Sequence, residues 1–343
     1  MTRPRSLLTT IVAGLLLVIV GYIALWFYEA NRVRAEVARF IEARAAHGMA
    51  IRSETLEIGG FPFRLEADFG KLVVDGLPYA QPAHIEAPTL VARARPWRPD
   101  EWRFVAAKGF TLELTLGNGA KTVTAVGDAR GRAVAEAGDP GGLILEIDAH
   151  ELSFGTGGSA STVHHASLHL AVPSKPPEDH TTPSLTFVAV VDRAMLPSDI
   201  EPQDSLVDRL MVNGVIEGPV PEMPLLAALT AWRAGGGAVE LRQVAMHWGA
   251  VDVIGDGTLT LDANLQPEAA FTGSIRGWDA LLDDFVQAGS LTAAEANYDR
   301  LGLGLLTHVA SDGKSELRAP ITLQNEQIYL GPVKLAKLPP ISW

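Results

Sequence analysis

Cysteine is absent from the 343 residues. That excludes disulfides, Cys-ligated zinc, thiolate-held clusters and Cys nucleophiles, and leaves the redox compartment open. Basic side chains are in deficit, 28 against 40 acidic, for a formal charge of −12. A nucleic-acid partner is therefore not expected, because phosphate-backbone binding needs a basic face. Catalytic signatures are also missing: there is no Gly-x-Ser-x-Gly elbow and no His-Glu-x-x-His. A second long apolar run is lacking too.

One such run is present. No charged residue stands between Ser6 and Tyr28. Residues 7–28, about 33 Å as a helix, match a hydrocarbon core of about 30 Å. Trp26, Phe27 and Tyr28 close it, where aromatic rings favour the lipid–water boundary. A cleaved signal peptide would have a shorter apolar core, and the best cleavage point, after Ala30, has bulky Tyr28 where a small residue is wanted. The expectation is a cytoplasmic tail at 1–6, a retained transmembrane helix at 7–28 and a helical stalk at 29–48. Val33, Val37, Phe40 and Ile41 supply the stalk's helical spacing, and Gly48 its stop. Arg3 and Arg5 nearly balance Arg32, Arg34 and Arg39 across the span. The large acidic remainder favours export, with the domain on the non-cytoplasmic side.

Beyond Met49 the period changes to two. Leu112, Leu114 and Leu116 alternate with polar residues, as do Leu143, Leu145 and Ile147, and then Leu259, Leu261 and Leu265. Turn signals include Asp75-Gly76, Asn118-Gly119, Gly127-Asp128, Asp139-Pro-Gly141, Asp256-Gly257 and Asp312-Gly313. Short strands without regular helical crossovers predict a mainly β (α+β) fold: a large, twisted, mostly antiparallel sheet with a few packed helices. Helices are expected near 224–234, opened by Pro224, near 277–288, and at 293–309 behind the capping-box pair Thr292 and Glu295. The Pro-rich stretch 173–183 reads as a linker or loop between a first β-rich lobe, 49–172, and a second, 184–343.

Candidate chemistry is thin. His164, His165 and His169, with His150 and His180 nearby, invite a metal. On a strand, though, residues 165 and 169 stand about 13 Å apart, too far for one ion. Gly155–Ser161 lacks the Gly-Lys-Ser/Thr ending of a phosphate loop and reads as a hairpin tip. Gly302-Leu-Gly304 lacks the third glycine of a dinucleotide fingerprint. Asp283-Asp284 belong on the solvated face of a helix. No catalytic, cofactor-binding or metal residue is assigned, and no cofactor is expected.

Two patterns are more distinctive. Gly59-Gly-Phe-Pro-Phe-Arg64 sits between strand-like runs, with Pro62 disrupting ladder pairing. Residues 318–341 read as a last hairpin through Asn325-Glu326 and a Pro-rich tail. With the N-terminal anchor and the Ala87-Pro-Thr-Leu…Trp97-Arg-Pro99 stretch, these features resemble the DUF2125 family, a bacterial family of unknown function found mainly in alphaproteobacteria. Many members of that family carry Gly where Asn325-Glu326 stand here. Residues 255–277 bear a weaker resemblance to repeats in AsmA-like envelope proteins. The resemblance implies an inner-membrane protein facing the periplasm and supplies no catalytic residue. The function expected is non-enzymatic binding or scaffolding in the envelope, with lipid or a hydrophobic protein partner held on the sheet face. The alternatives are a hydrolase with dispersed catalytic residues and a structural subunit of a membrane complex.

Overall fold

A computed structural model describes residues 4–46, 48–76, 83–115, 119–136, 141–156, 159–195, 206–221, 223–287, 291–309, 315–331, 333–338 and 340–341. The first element, α1 (Pro4–Ala45), is one unbroken helix that contains both the apolar run and the stalk. It is long and apolar enough to cross a membrane. Its end follows from Gly48, whose φ of 82° lets Met49 N donate to Arg44 O (3.0 Å) and Gly48 N to Ala45 O (3.1 Å). That is the double hydrogen bond of a left-handed helix stop.

Every strand pairing among the described residues is antiparallel. The first strands are short: β1 (Ala50–Ser53), β2 (Glu57–Gly59), β3 (Leu65–Asp68), β4 (Leu72–Asp75), β5 (Ala83–Ala87), β6 (Val91–Arg95), β7 (Arg98–Ala106) and β8 (Phe110–Thr115). They build two branches that join one edge of β9 (Lys121–Glu136). One branch runs β1–β4–β5–β8 and meets β9 at residues 121–126. The other runs β2–β3–β6–β7 and meets it at 129–134. From β9 onward neighbours in sequence are neighbours in space: β10 (Gly142–Thr156), β11 (Ser159–Pro173), β12 (Pro183–Met195), β13 (Leu206–Glu217), β14 (Ala238–Trp248), β15 (Val251–Leu261) and β16 (Pro267–Arg276). The sheet finishes on β18 (Ser315–Gln324), which pairs with β16, with β17 (Thr307–Val309) and with β19 (Gln327–Leu330), which in turn pairs with β20 (Val333–Lys337).

Three short helices follow the expected places. Pro224 is the cap of α2 (Leu225–Ala234), one position before the first turn assigned to it from sequence. The second is α3 (Trp278–Gln287). The last, α4 (Ala293–Gly304), has the expected capping box: Glu295 N donates to Thr292 Oγ1 at 3.2 Å and Thr292 N to Glu295 Oε2 at 2.8 Å. It ends five residues earlier than 309, at Gly304, and residues 307–309 are β17. The two glycines of its last turn, each costing about 1 kcal/mol inside a helix, account for the early stop. Residues 174–182 form the expected loop, and β11 and β12 pair directly across it.

Two turn assignments are corrected. Gly127-Asp128 lies inside β9 and Asp256-Gly257 inside β15. The turn signals at 118, 139–140 and 312–313 lie outside the described residues. Glycine serves β15 in another way. A Cβ on Gly257 would sit 2.6 Å from Phe271 Cδ1 on the paired strand and 2.3 Å from Ala270 O. Phe104 over Gly131 and Phe187 over Gly214 repeat the device, with the ring of one strand lying across the bare backbone of the next. Gly257→Val should therefore destabilise the protein by about 1–3 kcal/mol in urea unfolding, as overpacking does. A neutral result would be inconsistent with Gly257 lying in a paired strand.

Candidate functional site

Side chains directly opposite one another in an antiparallel pair share a face, so register alone assembles rows across this sheet. One row runs Ala133, Leu145, Leu170, Phe187, Gly214 and Leu241 over β9–β14. A second runs Gly131, Ile147, Leu168, Ala189, Val212 and Val244, and a third Ala129, Ala149, Ala166, Val191, Leu210 and Met246. All three are apolar. Leu145, Leu168, Leu170, Phe187 and Val212 are only half-buried.

Helices reach this face at its two ends. At one end Trp26, Ala30, Val33 and Val37 of α1 pack with Ile58, Leu65 and Trp102, and Trp102 opposes Ala133 in the first row. At the other, Trp278 and Leu282 of α3 and Leu303 of α4 cover Val251, Ile275, Leu317 and Leu330. The second helix, α2, sits at the strand ends with Trp232 over Gly237 and its Nε1 donating to Glu217 O at 2.7 Å. Among the described residues, no hydrophobic cluster that includes a helix side chain reaches β10–β14.

A cavity of about 710 Å³ opens where α1 leaves the apolar run. Val33, Val37, Phe40 and Ile41 of α1 form one wall, and Ile51, Ala67, Phe69, Val74, Ala92 and Trp102 the other. Both branches of the fork contribute. Ala135 at its margin opposes Leu143 of β10, so the cavity runs out onto the apolar face. Its polar lining is Glu29, Arg32, Glu36 and Asp100. Glu29 is 8 % exposed, its Oε2 has no hydrogen-bond partner, and Arg32 Nη1 lies 3.7 Å away. Sequence reasoning anticipated the stalk packing on the domain through Val33 and Val37, but it missed the cavity. The only available signal was the apolar spacing of α1 continuing past Glu29, where the uncharged run ends.

The opposite face carries a polar row in the same register: Asp128, His150, His165, Asp192 and Arg209 on β9–β13, then His247, Asp252 and Arg276 on β14–β16. His165 Nδ1 stands 3.1 Å from Asp192 Oδ2, its ring stacks on His150 at 4.8 Å, and Arg209 Nη1 lies 3.2 Å from Asp192. Arg276 meets the buried carboxylate of Glu316 at 3.1 Å. Hydrogen bonds from Ser274, Arg318 and Arg276 push that carboxyl down to about 2. His164 and His169 stay apart from His165, paired with Glu151 (2.7 Å) and Glu146 (3.7 Å) respectively. His180 is exposed in the 174–182 loop. No group of three His, Asp or Glu among the described residues is arranged to hold a metal ion. The sequence places no carboxylate within a few residues of His164, His165 and His169; the structure brings them in from neighbouring strands.

Other sequence candidates take ordinary places. Asp283 pairs with Arg300 at 2.6 Å across α3 and α4, and the side chain of Asp284 lies outside the described residues. Thr156 pairs with Ser159 at the tip of the β10–β11 hairpin, whose residues 157–158 lie outside the described residues. Gly302 and Gly304 are in the last turn of α4.

Compared with protein families, residues 26–339 match the model described as an uncharacterized protein conserved in bacteria, DUF2125. The chain belongs to the DUF2125 family. No curated protein and no solved structure matches it. The DUF2125 match begins at Trp26, the first α1 residue buried against the domain among those described, and takes in the cavity, the apolar rows and the polar row. Asn325 (φ 51°) and Glu326 (φ 63°) form a left-handed two-residue turn between β18 and β19, the backbone that favours Gly at these positions.

The polar row predicts a pH dependence. The Asp192 hydrogen bond, aided by Asp148, raises the His165 pKa above 6.5 against the opposing effect of burial. A raised folded-state value gives stability that is complete below the unfolded pKa and is lost as pH climbs through the folded one. His165→Gln should therefore cost most at pH 5–6 and progressively less on the alkaline side. Urea unfolding of both proteins across pH checks this, and a pH-independent difference would contradict the charged pairing.

Proposed function

We propose that this protein is a single-pass inner-membrane protein with its domain in the periplasm. Its work is non-enzymatic: it holds the acyl chains of a lipid, or an equally apolar partner, on the half-buried apolar sheet face. The observation that carries this reading is continuity. A cavity at the membrane-exit end of α1 runs without a polar break onto three apolar rows that lead across five strands to the α3–α4 end. Contiguous apolar surface that stays only half-buried over such an extent marks a binding site in soluble proteins. The cavity is within the usual range of ligand sites. Its carboxylates and Arg32 supply polar partners for a headgroup at the end nearest the membrane.

The retained anchor and periplasmic orientation rest on the length and aromatic end of the apolar run and on the acidic remainder. Reporter enzymes fused after Trp343 should be active only in the exported state. Cytoplasmic activity would reverse the orientation.

Lipid holding is tested by photocrosslinking in intact bacteria. A photoreactive phenylalanine at Leu168 should gain an adduct of phospholipid mass, and the same group at neighbouring Ser167, on the polar face, should not. Equal labelling at both positions, or protein adducts only, would remove the lipid reading.

A further inference from the structure

Between β2 and β3 the chain reads Gly60-Phe-Pro-Phe-Arg64, and this loop lies against α1. Trp26 Nε1 donates to Arg64 O at 2.9 Å, and the Tyr22 hydroxyl donates to Pro62 O. The Phe61 ring meets Trp26 edge-on at 5.4 Å and stacks with Phe27 at 6.1 Å. All three helix residues lie within the uncharged run that ends at Tyr28. Tyr22 is about 9 Å before that end along the helix axis.

We propose that residues 61–63 enter the lipid layer beside α1, a second membrane contact at interfacial depth on the side from which the domain emerges. The proposal rests on the reading of α1 as a membrane span. Depth is the first argument: a loop hydrogen-bonded to Tyr22 and Trp26 is carried wherever that part of the helix goes. Exposure is the second. Phe63 is 74 % exposed and Phe61 49 %, while Phe27 and Tyr28 on the adjoining helix surface are also exposed. Exposed aromatic rings gathered at the end of the apolar run suit the lipid–water boundary, where such side chains concentrate.

The third argument is the backbone. Each backbone group satisfied within the protein lowers the cost of bringing irregular chain from the hydrated interface toward the hydrocarbon region. Here Pro62 has no N–H, Pro62 O and Arg64 O accept from helix side chains, and Gly60 O accepts from Arg64 N at 3.1 Å. Gly60 makes this closure possible: its φ is 92°, and a Cβ there would lie 2.7 Å from Arg64 Cγ. Charge resumes immediately afterwards, with Arg64 and Arg93 flanking Glu66 at 3.8 and 2.6 Å, the level that lipid headgroups would occupy.

A chain without cysteine allows a direct test. Single variants Phe63→Cys, Leu17→Cys and Asp279→Cys of the full chain are labelled with an environment-sensitive fluorophore. They are reconstituted into phosphatidylethanolamine–phosphatidylglycerol vesicles carrying spin-labelled lipid. Because the Phe63 side chain points away from the helix contacts, labelling leaves them in place, and an unchanged thermal transition in detergent verifies this. The label at 63 should lose emission to quenchers near the glycerol end of the acyl chain, the label at 17 to quenchers deep in the chain, and the label at 279 to neither. If 17 is quenched by lipid while 63 responds only to aqueous iodide, the loop lies in water and the proposal is overturned. If neither is quenched by lipid, the span reading fails and takes this proposal with it.

Discussion

Strict alternation of side chains, held in register across consecutive antiparallel strands, is the constraint on which everything else depends. Because the side-chain period is two, a slip of one residue between any neighbours would put Leu168 among the carboxylates and His165 among the leucines. Two chemically opposite surfaces follow from that single rule. On one, Leu145, Leu170 and Phe187 line up with no polar side chain between them; on the other, Asp128, His150, His165 and Asp192 stand opposite one another strand by strand. The aromatic–glycine pairs reinforce the register, since each ring fits only where its partner strand has no Cβ.

Coverage of the apolar surface is uneven for a geometric reason. A helix with its side chains is about 10–12 Å wide and strands are spaced by about 4.8 Å, so one aligned helix spans little more than two strands. At one end α1 does this for the strands around Trp102; at the other, α3 and α4 do it for those around Leu317. The longest strands, β9–β13, lie between them. The end of the apolar run of α1 and the half-buried apolar rows therefore meet at one place, the cavity under the stalk.

Much of this was legible in the sequence. The alternation of Leu143–Ile147 and Leu259–Leu261, the capping pair Thr292 and Glu295, the stop at Gly48 and the apolar run of α1 are local signals, and each corresponds to the element observed. Signals that depend on a distant partner misled or stayed silent. Gly127-Asp128 and Asp256-Gly257 have turn chemistry, yet in β15 the glycine exists to receive Phe271 from the next strand, which no local window contains. The cavity joins residues 29–41 to residues 51–102, and the carboxylates around His165 come from β10 and β12. Such groupings are created by pairing and are invisible before pairing is known.

The fork at β9 has a consequence for how the molecule comes apart. Within it the chain switches branch repeatedly: β1 lies in one, β2 and β3 in the other, β4 and β5 back in the first, β6 and β7 in the second, β8 in the first again. Neither branch is a continuous piece of chain, so neither opens without pulling on the other, and both hang on β9. From β10 to β15, among the described residues, each strand is held by its neighbours in sequence. The part nearest α1 is thus one interlocked block, whereas the remainder is a simple succession of hairpins.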